Sequence, residues 1–403
     1  MSPDPTRIDV ADVYKGDNLA GKLMRRGDTV VFAYSPDYLD SDLPAVATTI
    51  PKRDAETIST AGAVPPFFAG LLPEGRRLIS LQRSLKTSPD DEFSQLVAVG
   101  ADCIGDVRVL REGADPTPRM DDEPSISVPH EISFVGLFER SLDLGRDSSN
   151  QTIPGVQDKI SDAMLSIPAR KQGGSVILKL SPPAFPQLVE NEYFFLRLAA
   201  KCGLRVPSSS IVTDRDGARG LAVERFDREF SRGRQGRIAQ EDAVQLAGRW
   251  PSSKYLMSTA SVFEAVLKVT PAAPVARAAL LRLFIYSYMI ANGDLHAKNV
   301  SVYDHPSGVW SVTPAYDLVS TLPYGDDKMA LDLEGRDSNI KGSTFVRFGE
   351  RLGAKERLIR KIISEITDVA EESLDDLDEI GLPERKIAHL SRTISSRITQ
   401  LRS

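Results

Sequence analysis

Asp294, Asn299 and Asp317 are the residues of this chain whose types and spacing best suit chemistry. The segment Ile290-Ala-Asn-Gly-Asp-Leu-His-Ala-Lys-Asn299 places an aspartate five residues before an asparagine, then enters the apolar, strand-like run Val300-Ser-Val-Tyr303. Eighteen residues past Asn299, after a second apolar run from Val309 to Thr313, Asp317 follows in Ala-Tyr-Asp-Leu. An Asp, an Asn and a further Asp after a hairpin are what phosphoryl transfer needs. One carboxylate receives or orients the proton of the attacking hydroxyl, while an amide oxygen and a second carboxylate hold magnesium against the nucleotide phosphates. His296, between Asp294 and Asn299, reads as an imidazole bracing the loop or as a proton carrier. Lys298 reads as a charge on the γ-phosphate or as a solvated side chain.

The nucleotide side of such a site has candidates upstream. Lys179 ends the apolar strand Val176-Ile-Leu-Lys, where a lysine pairs with α/β-phosphates and with a glutamate on the next helix; Glu192 and Glu190 both qualify. Glu224-Arg-Phe-Asp227 follows the strand Leu221-Ala-Val, in the place of an inter-lobe hinge. There the backbone of Glu224 and Arg225 can meet adenine while Phe226 packs on the ring, or the motif is a salt-bridged strand end. The run Thr152-Ile-Pro-Gly-Val-Gln-Asp-Lys159 is a glycine turn able to approach phosphate, although an ordinary turn has the same composition.

These elements imply a mixed α/β lobe followed by a helical one. With 403 residues the chain exceeds one core, so two or three units are expected. Residues 1–112 alternate strand-like runs such as Val30–Tyr34 with turns, then a helix near 91–99 and a strand over 105–110. Residues 113–129 form a polar, proline-rich linker, 130–239 a lobe mixing a short helix at 134–141 and a helix at 190–202 with strands at 163–167, 176–180, 210–213 and 220–224, and 240–403 a mostly helical lobe interrupted by a hairpin at 300–313. A net charge of −6 does not announce a nucleic-acid binder. Two cysteines and an N-terminus without a basic or apolar leader point to the cytoplasm, and the apolar stretch 280–291 is too short to span a bilayer. From Gly381 to Ser403, Arg385, Lys386, Arg392, Arg397 and Arg402 face one acid, Glu384, which reads as a solvated helix face or a contact with phosphate backbone.

Together these motifs resemble the HipA family of bacterial toxin kinases. The resemblance rests on Pro154-Gly-Val-Gln-Asp-Lys159, Ile177-Leu-Lys179-Leu, Glu190-Asn-Glu-Tyr193, Ala222-Val-Glu-Arg-Phe-Asp-Arg228, Gln240-Glu-Asp242, His296-Ala-Lys-Asn299 and Thr313-Pro-Ala-Tyr-Asp317. Phe67-Phe-Ala-Gly-Leu-Leu-Pro73 is similar to the small domain preceding the kinase in that family. The family implies an α+β protein: a small N-terminal α/β domain, then a two-lobed protein-kinase-like fold with a mostly helical C-terminal lobe. It also implies a serine/threonine-protein kinase using ATP and magnesium, neutralised by a helix-turn-helix (HipB-like) antitoxin, with operator DNA bound through that complex and no membrane role. Its protein substrates include translation machinery.

Carried over by motif, Asp294 is the proton acceptor, and Asn299 and Asp317 hold magnesium. Nucleotide contacts fall to Pro154, Gly155, Val156, Gln157, Asp158, Lys159, Lys179, Glu224, Arg225, Phe226, His296, Ala297, Lys298 and Tyr316. Well-known members carry a serine before the glycine loop whose autophosphorylation ejects it; here that position is Thr152, with Ser148 and Ser149 just upstream. Two other readings compete. One is a small-molecule phosphotransferase of the aminoglycoside or choline type, given Asn292-Gly-Asp-Leu-His-Ala-Lys-Asn299. The other is a non-catalytic co-repressor.

Overall fold

The computed structural model describes residues 4–116, 133–137, 163–171, 174–231, 234–305 and 308–403. Strand alternation builds its first unit. β1 (Val10–Lys15), β2 (Asn18–Arg26), β3 (Thr29–Tyr34), β4 (Thr57–Ser59) and β5 (Val107–Arg111) form an antiparallel sheet in the order β4-β3-β2-β1-β5. Its register sets Ala11 opposite Leu23 and Leu23 opposite Phe32, with Val109 opposite Val13, so one face is a continuous apolar row. Phe67 and Phe68 of a single helical turn and Phe93 and Leu96 of the helix at 92–99 cover that face. The helices here are α1 (Gly75–Leu85) and α2 (Glu92–Val99), the latter capped by the Asp91 side chain on the Ser94 N–H.

A second antiparallel sheet, ordered β6-β7-β9-β8, contains β6 (Leu165–Lys171), β7 (Gly174–Leu180), β8 (Ser209–Thr213) and β9 (Arg219–Glu224). Leu178 and Leu180 point to one face with Leu165, Ala169 and Phe134. The two-residue period then turns Lys179 to the other face, beside its cross-strand partner Leu221. That face is covered by α3 (Leu188–Lys201), whose buried stripe includes Val189, Glu192, Leu196 and Ala199.

A hairpin of β10 (Arg228–Ser231) and β11 (Arg234–Arg237) leads to the helical part. There β12 (Gln240–Asp242), β13 (Ser301–His305) and β14 (Val309–Val312) make a small sheet beside α4 (Thr259–Val269) and α5 (Ala273–Met289). The C-terminal half of α5 is buried from Leu280 to Met289 except at Arg282, because α6 (Gly342–Arg351), α7 (Glu356–Glu372) and α8 (Glu384–Arg402) pack around it. This helix carries the chain into the Asp294 loop.

The sequence-based expectations at 30–34, 91–99, 176–180, 210–213 and 220–224 correspond to β3, α2, β7, β8 and β9. The strand expected at 105 begins at Val107, because Gly105 sits in a left-handed turn (φ 84°). The strand expected over 163–167 lies at 165–171, and the short helix expected from Phe134 is described only to Leu137. Among the described residues no helix is long and apolar enough to cross a membrane.

The basic C-terminal face shrinks on inspection. Arg397 is buried and donates to the carbonyls of Tyr288 and Asp327, while Arg402 binds Asp368 and Glu371 at 2.8 Å each. Of the five only Arg397 leaves the surface; Arg402 stays exposed but is paired with two acids, and Arg385, Lys386 and Arg392 stay on the surface as well.

Gly342 opens α6 where α8 passes, and a Cβ there would collide with the Leu401 carbonyl oxygen. Gly342→Ala is expected to destabilise the fold by about 1–3 kcal/mol. Gly174→Ala, with nothing within 4 Å of the added atom, should change stability by less than about 0.5 kcal/mol. Thermal unfolding of the two variants checks the contrast.

Candidate active site

A lysine on a sheet face that packs against a helix is buried, and a buried ammonium needs anions. Lys179 has two: its Nζ donates to Glu192 Oε1 of α3 at 2.7 Å and to Asp317 Oδ1. Burial would pull this lysine toward neutrality, but Asp317 and Glu192 push its pKa above the ordinary value and keep it charged. Glu192 is thereby the helix glutamate of the two candidates. Glu190 instead reaches toward Arg219, 3.8 Å away. Asp317 adopts the left-handed conformation (φ 53°), which Asp tolerates better than bulky residues. Its loop is held against α3 by Asn191, whose amide donates to the Ser320 carbonyl at 3.1 Å and accepts the Ser320 N–H at 2.9 Å. The neighbours Asn191 and Glu192 thus fix where Lys179 and Asp317 meet.

Across the cavity the loop after α5 presents Asp294, buried to 2% exposure. Asn292 caps it, Oδ1 accepting the Asp294 N–H at 2.9 Å, and Asn299 Nδ2 donates to the Asp294 carbonyl at 3.0 Å. Committing the amide nitrogen leaves Asn299 its oxygen as the ligand-type atom. Gly293 has no room for a Cβ, because Thr321 and the Lys328 carbonyl crowd it. The Tyr255 hydroxyl donates to Asp294 Oδ1 at 2.6 Å, and the Tyr255 ring meets His296 edge-on at 5.0 Å. His296 is buried, which pulls its pKa below the ordinary value despite Asp294 nearby, and among the described residues its Nδ1 has no hydrogen-bond partner. The ring is held by packing against Tyr255.

Lys298 is not a solvated charge. Its ammonium is buried, donates to the Gly70 carbonyl at 3.2 Å, and lies 3.5 Å from Glu74 and 3.7 Å from Asp242. Lys254 approaches Glu74 at 3.5 Å as well. Burial opposes the charge on Glu74, but Lys298 and Lys254 hold its carboxyl down at about 2.

Just past β9, Arg225 and Asp227 form a buried ion pair at 2.8 Å. Arg225 and Arg228 also reach Asp102 of the first domain at 2.8 and 2.6 Å, and the Gly105 N–H donates to Asp227 at 2.9 Å. The Arg225 side chain is thus an inter-domain tie. The N–H groups of Glu224 and Arg225 donate to the carbonyls of Ser208 and Ser175. Phe226 packs on Tyr316, with ring centroids 5.8 Å apart, and Tyr316 donates to the Lys298 carbonyl at 2.7 Å.

One cavity of about 310 Å³ gathers Lys179, Glu192, Glu224, Arg225, Phe226, Asp294, His296, Lys298, Asn299, Tyr316 and Asp317. Ala297 is buried within the turn beside it. The first domain supplies part of the wall, including Gly70, Pro73, Glu74, Arg77 and Cys103. Thr152, Ser148, Ser149 and the loop Pro154–Lys159 lie outside the described residues. Sequence reasoning missed Asn191, Glu74, Tyr255 and Asp242 as site residues. Asn191, Asp242 and the segment before Glu74 stood inside quoted motifs, whereas Tyr255 had no signal.

The donor set suits magnesium. Among the described residues no three His, Cys, Asp or Glu form a closed metal cage. A carboxylate from Asp317 and an amide oxygen from Asn299 are what Mg²⁺ takes from protein when phosphates and water complete its shell.

Comparison with known proteins gives one consistent answer. Residues 11–110 match the HipA N-terminal domain and residues 151–374 the HipA-like C-terminal domain. The putative kinase Y4mE of Sinorhizobium fredii is 30% identical, covering 98% of this chain and 99% of its own length. The serine/threonine-protein kinase toxin HipA of Shewanella oneidensis is 27% identical, covering 89% of this chain and 86% of itself. A solved structure of the Shewanella oneidensis HipA, with HipB and its operator DNA, superposes with a TM-score of 0.78 at 23% identity, covering 97% of this chain and 99% of that one. The fold is shared.

Burial pushes the Asp242 carboxyl from 3.8 up to about 6, against the pull of Lys298. Its folded pKa exceeds its unfolded one, so the native state holds a proton that the unfolded chain has lost. Stability should therefore fall as pH rises from 3.8 to about 6, and Asp242→Asn should flatten that part of the curve. Chemical denaturation at a series of pH values reads it; an unchanged slope in the variant contradicts the assignment.

Proposed function

This chain belongs to the HipA family, and on that premise we propose that it is an ATP- and magnesium-dependent serine/threonine-protein kinase acting as the toxin of a toxin–antitoxin pair. The observation that carries the reading is the single cavity in which Lys179, tied to Glu192 and Asp317, faces Asp294 and Asn299. A strand lysine paired with a helix glutamate and a metal-binding aspartate is the working arrangement of protein kinases. Relatives named as kinases over nearly the whole chain support it.

In this proposal Asp294, with one oxygen fixed by Tyr255, accepts the proton of the protein hydroxyl as it attacks. Lys179 holds the nucleotide phosphates. Asn299 and Asp317 hold magnesium, which when bound neutralises phosphate charge. Phe226 and Tyr316 offer ring faces to the base, with the Glu224–Phe226 backbone beside it, and residues 154–159 are assigned the phosphate contacts. Residues 1–112 form the family's N-terminal domain, 113–129 its linker, 130–239 the nucleotide lobe and 240–403 the catalytic helical lobe. Phosphorylation at Thr152, or at Ser148 or Ser149, adds roughly −1.5 to −2 charges beside the phosphate loop and switches the enzyme off.

The partner is a helix-turn-helix antitoxin, and operator DNA is met through that complex. A solved relative is held with HipB and operator DNA, while here the net charge is −6, Arg397 is buried and Arg402 is paired with Asp368 and Glu371.

Incubation with labelled ATP and a cell lysate tests the reading. Label is expected in protein, with Asp294→Ala lowering transfer by about 10²–10⁴-fold. Label accumulating in a dialysable metabolite would instead establish a small-molecule phosphotransferase. Equal growth arrest from wild type and Asp294→Ala would contradict toxicity by phosphorylation.

A further inference from the structure

Glu74 belongs to the first domain, at the N-cap of α1, yet it lies on the cavity wall with Lys298. Its carboxylate is 3.5 Å from the ammonium groups of both Lys254 and Lys298. These lysines stand on the two segments that frame Asp294. Lys298 is in the turn that ends at Asn299, and Lys254 precedes Tyr255, whose phenol holds Asp294. The same segments are joined by the Ala297 N–H donating to the Lys254 carbonyl at 3.1 Å. The first domain adds a further tie, because Lys298 donates to the Gly70 carbonyl. A carboxylate placed between two ammonium groups attracts both and holds the segments that carry them in register.

We propose that Glu74 is a positioning residue of phosphate transfer, supplied by the first domain across the domain boundary, so that the catalytic loop is framed only while that domain is docked. The inference rests on the kinase reading. It makes the first domain a structural part of the active site, and any partner that displaces the domain acts on catalysis through this carboxylate. Glu241, which accepts from the Thr48 N–H and hydroxyl at 2.8 and 2.7 Å, fastens the same domain elsewhere.

The test compares phosphate transfer by full-length wild type, Glu74→Gln, Glu74→Asp, Thr48→Val and Asp294→Ala. Glu74→Gln is expected to lower kcat by about tenfold or more, the scale of a lost charge-assisted contact, with KM for ATP within about threefold of wild type. Glu74→Asp keeps the charge and should recover part of the loss. Thr48→Val loosens the interface away from the cavity and should keep wild-type kcat. Should Glu74→Gln fail to fold, Lys254→Met, which breaks the pair from its other side, should show the same fall in kcat. Wild-type kcat in Glu74→Gln overturns the proposal, as does an equal fall in the Gln, Asp and Thr48 variants, which would mark general loosening. If wild type transfers no more phosphate than Asp294→Ala, the kinase reading fails and takes this proposal with it.

Discussion

Lys179, at 8% exposure, holds its ammonium between the carboxylates of Glu192 and Asp317, and three parts of the fold meet there. An unpaired charge at that depth would cost several kcal/mol, so sheet, helix α3 and the 317 loop must keep their distances. β7 sets the lysine's face by its two-residue period. The buried stripe of α3 sets Glu192, and Asn191 on the same helix clamps the backbone beyond Asp317. An arrangement that looks like a single ion pair is therefore a gauge of the separation between the two lobes.

The opposite wall obeys a second constraint, the orientation of Asp294. Asn292, Asn299 and Tyr255 each hold one of its groups, and none of these contacts crosses a lobe boundary. The first domain enters around them. It reaches Arg225 and Asp227 through Asp102 and Gly105, and the Asp294 loop through Gly70 and Glu74. Among the charged residues that line the cavity, Arg225 and Lys298 are paired with carboxylates of the first domain and so hold domains together.

Much of this was legible in the sequence because it depends on local spacing. The Asp294–Asn299 loop, the strand bearing Lys179 and the strand before Glu224 follow from apolar periodicity and from residues adjacent in the chain. What escaped depends on pairing between distant segments. Lys298 next to Asn299 reads as a nucleotide contact until Glu74 is brought beside it, and Arg225 reads as part of a hinge until Asp102 is. The strands β1 and β2 mix buried with polar residues such as Asp12 and Lys22, so only the register reveals their apolar row. Tyr255 sits in a loop with no periodicity, and its role comes from a contact to a residue 39 positions away.

The central claim is that Lys179 and Asp317 form a nucleotide site completed by magnesium. Calorimetric titration of the full-length chain with ATP, with and without Mg²⁺, tests it most directly. Magnesium should tighten ATP binding to wild type by about tenfold or more, and that gain should vanish in Asp317→Asn. ATP affinity that is indifferent to magnesium in wild type, or an equal gain in Asp317→Asn, would contradict the account.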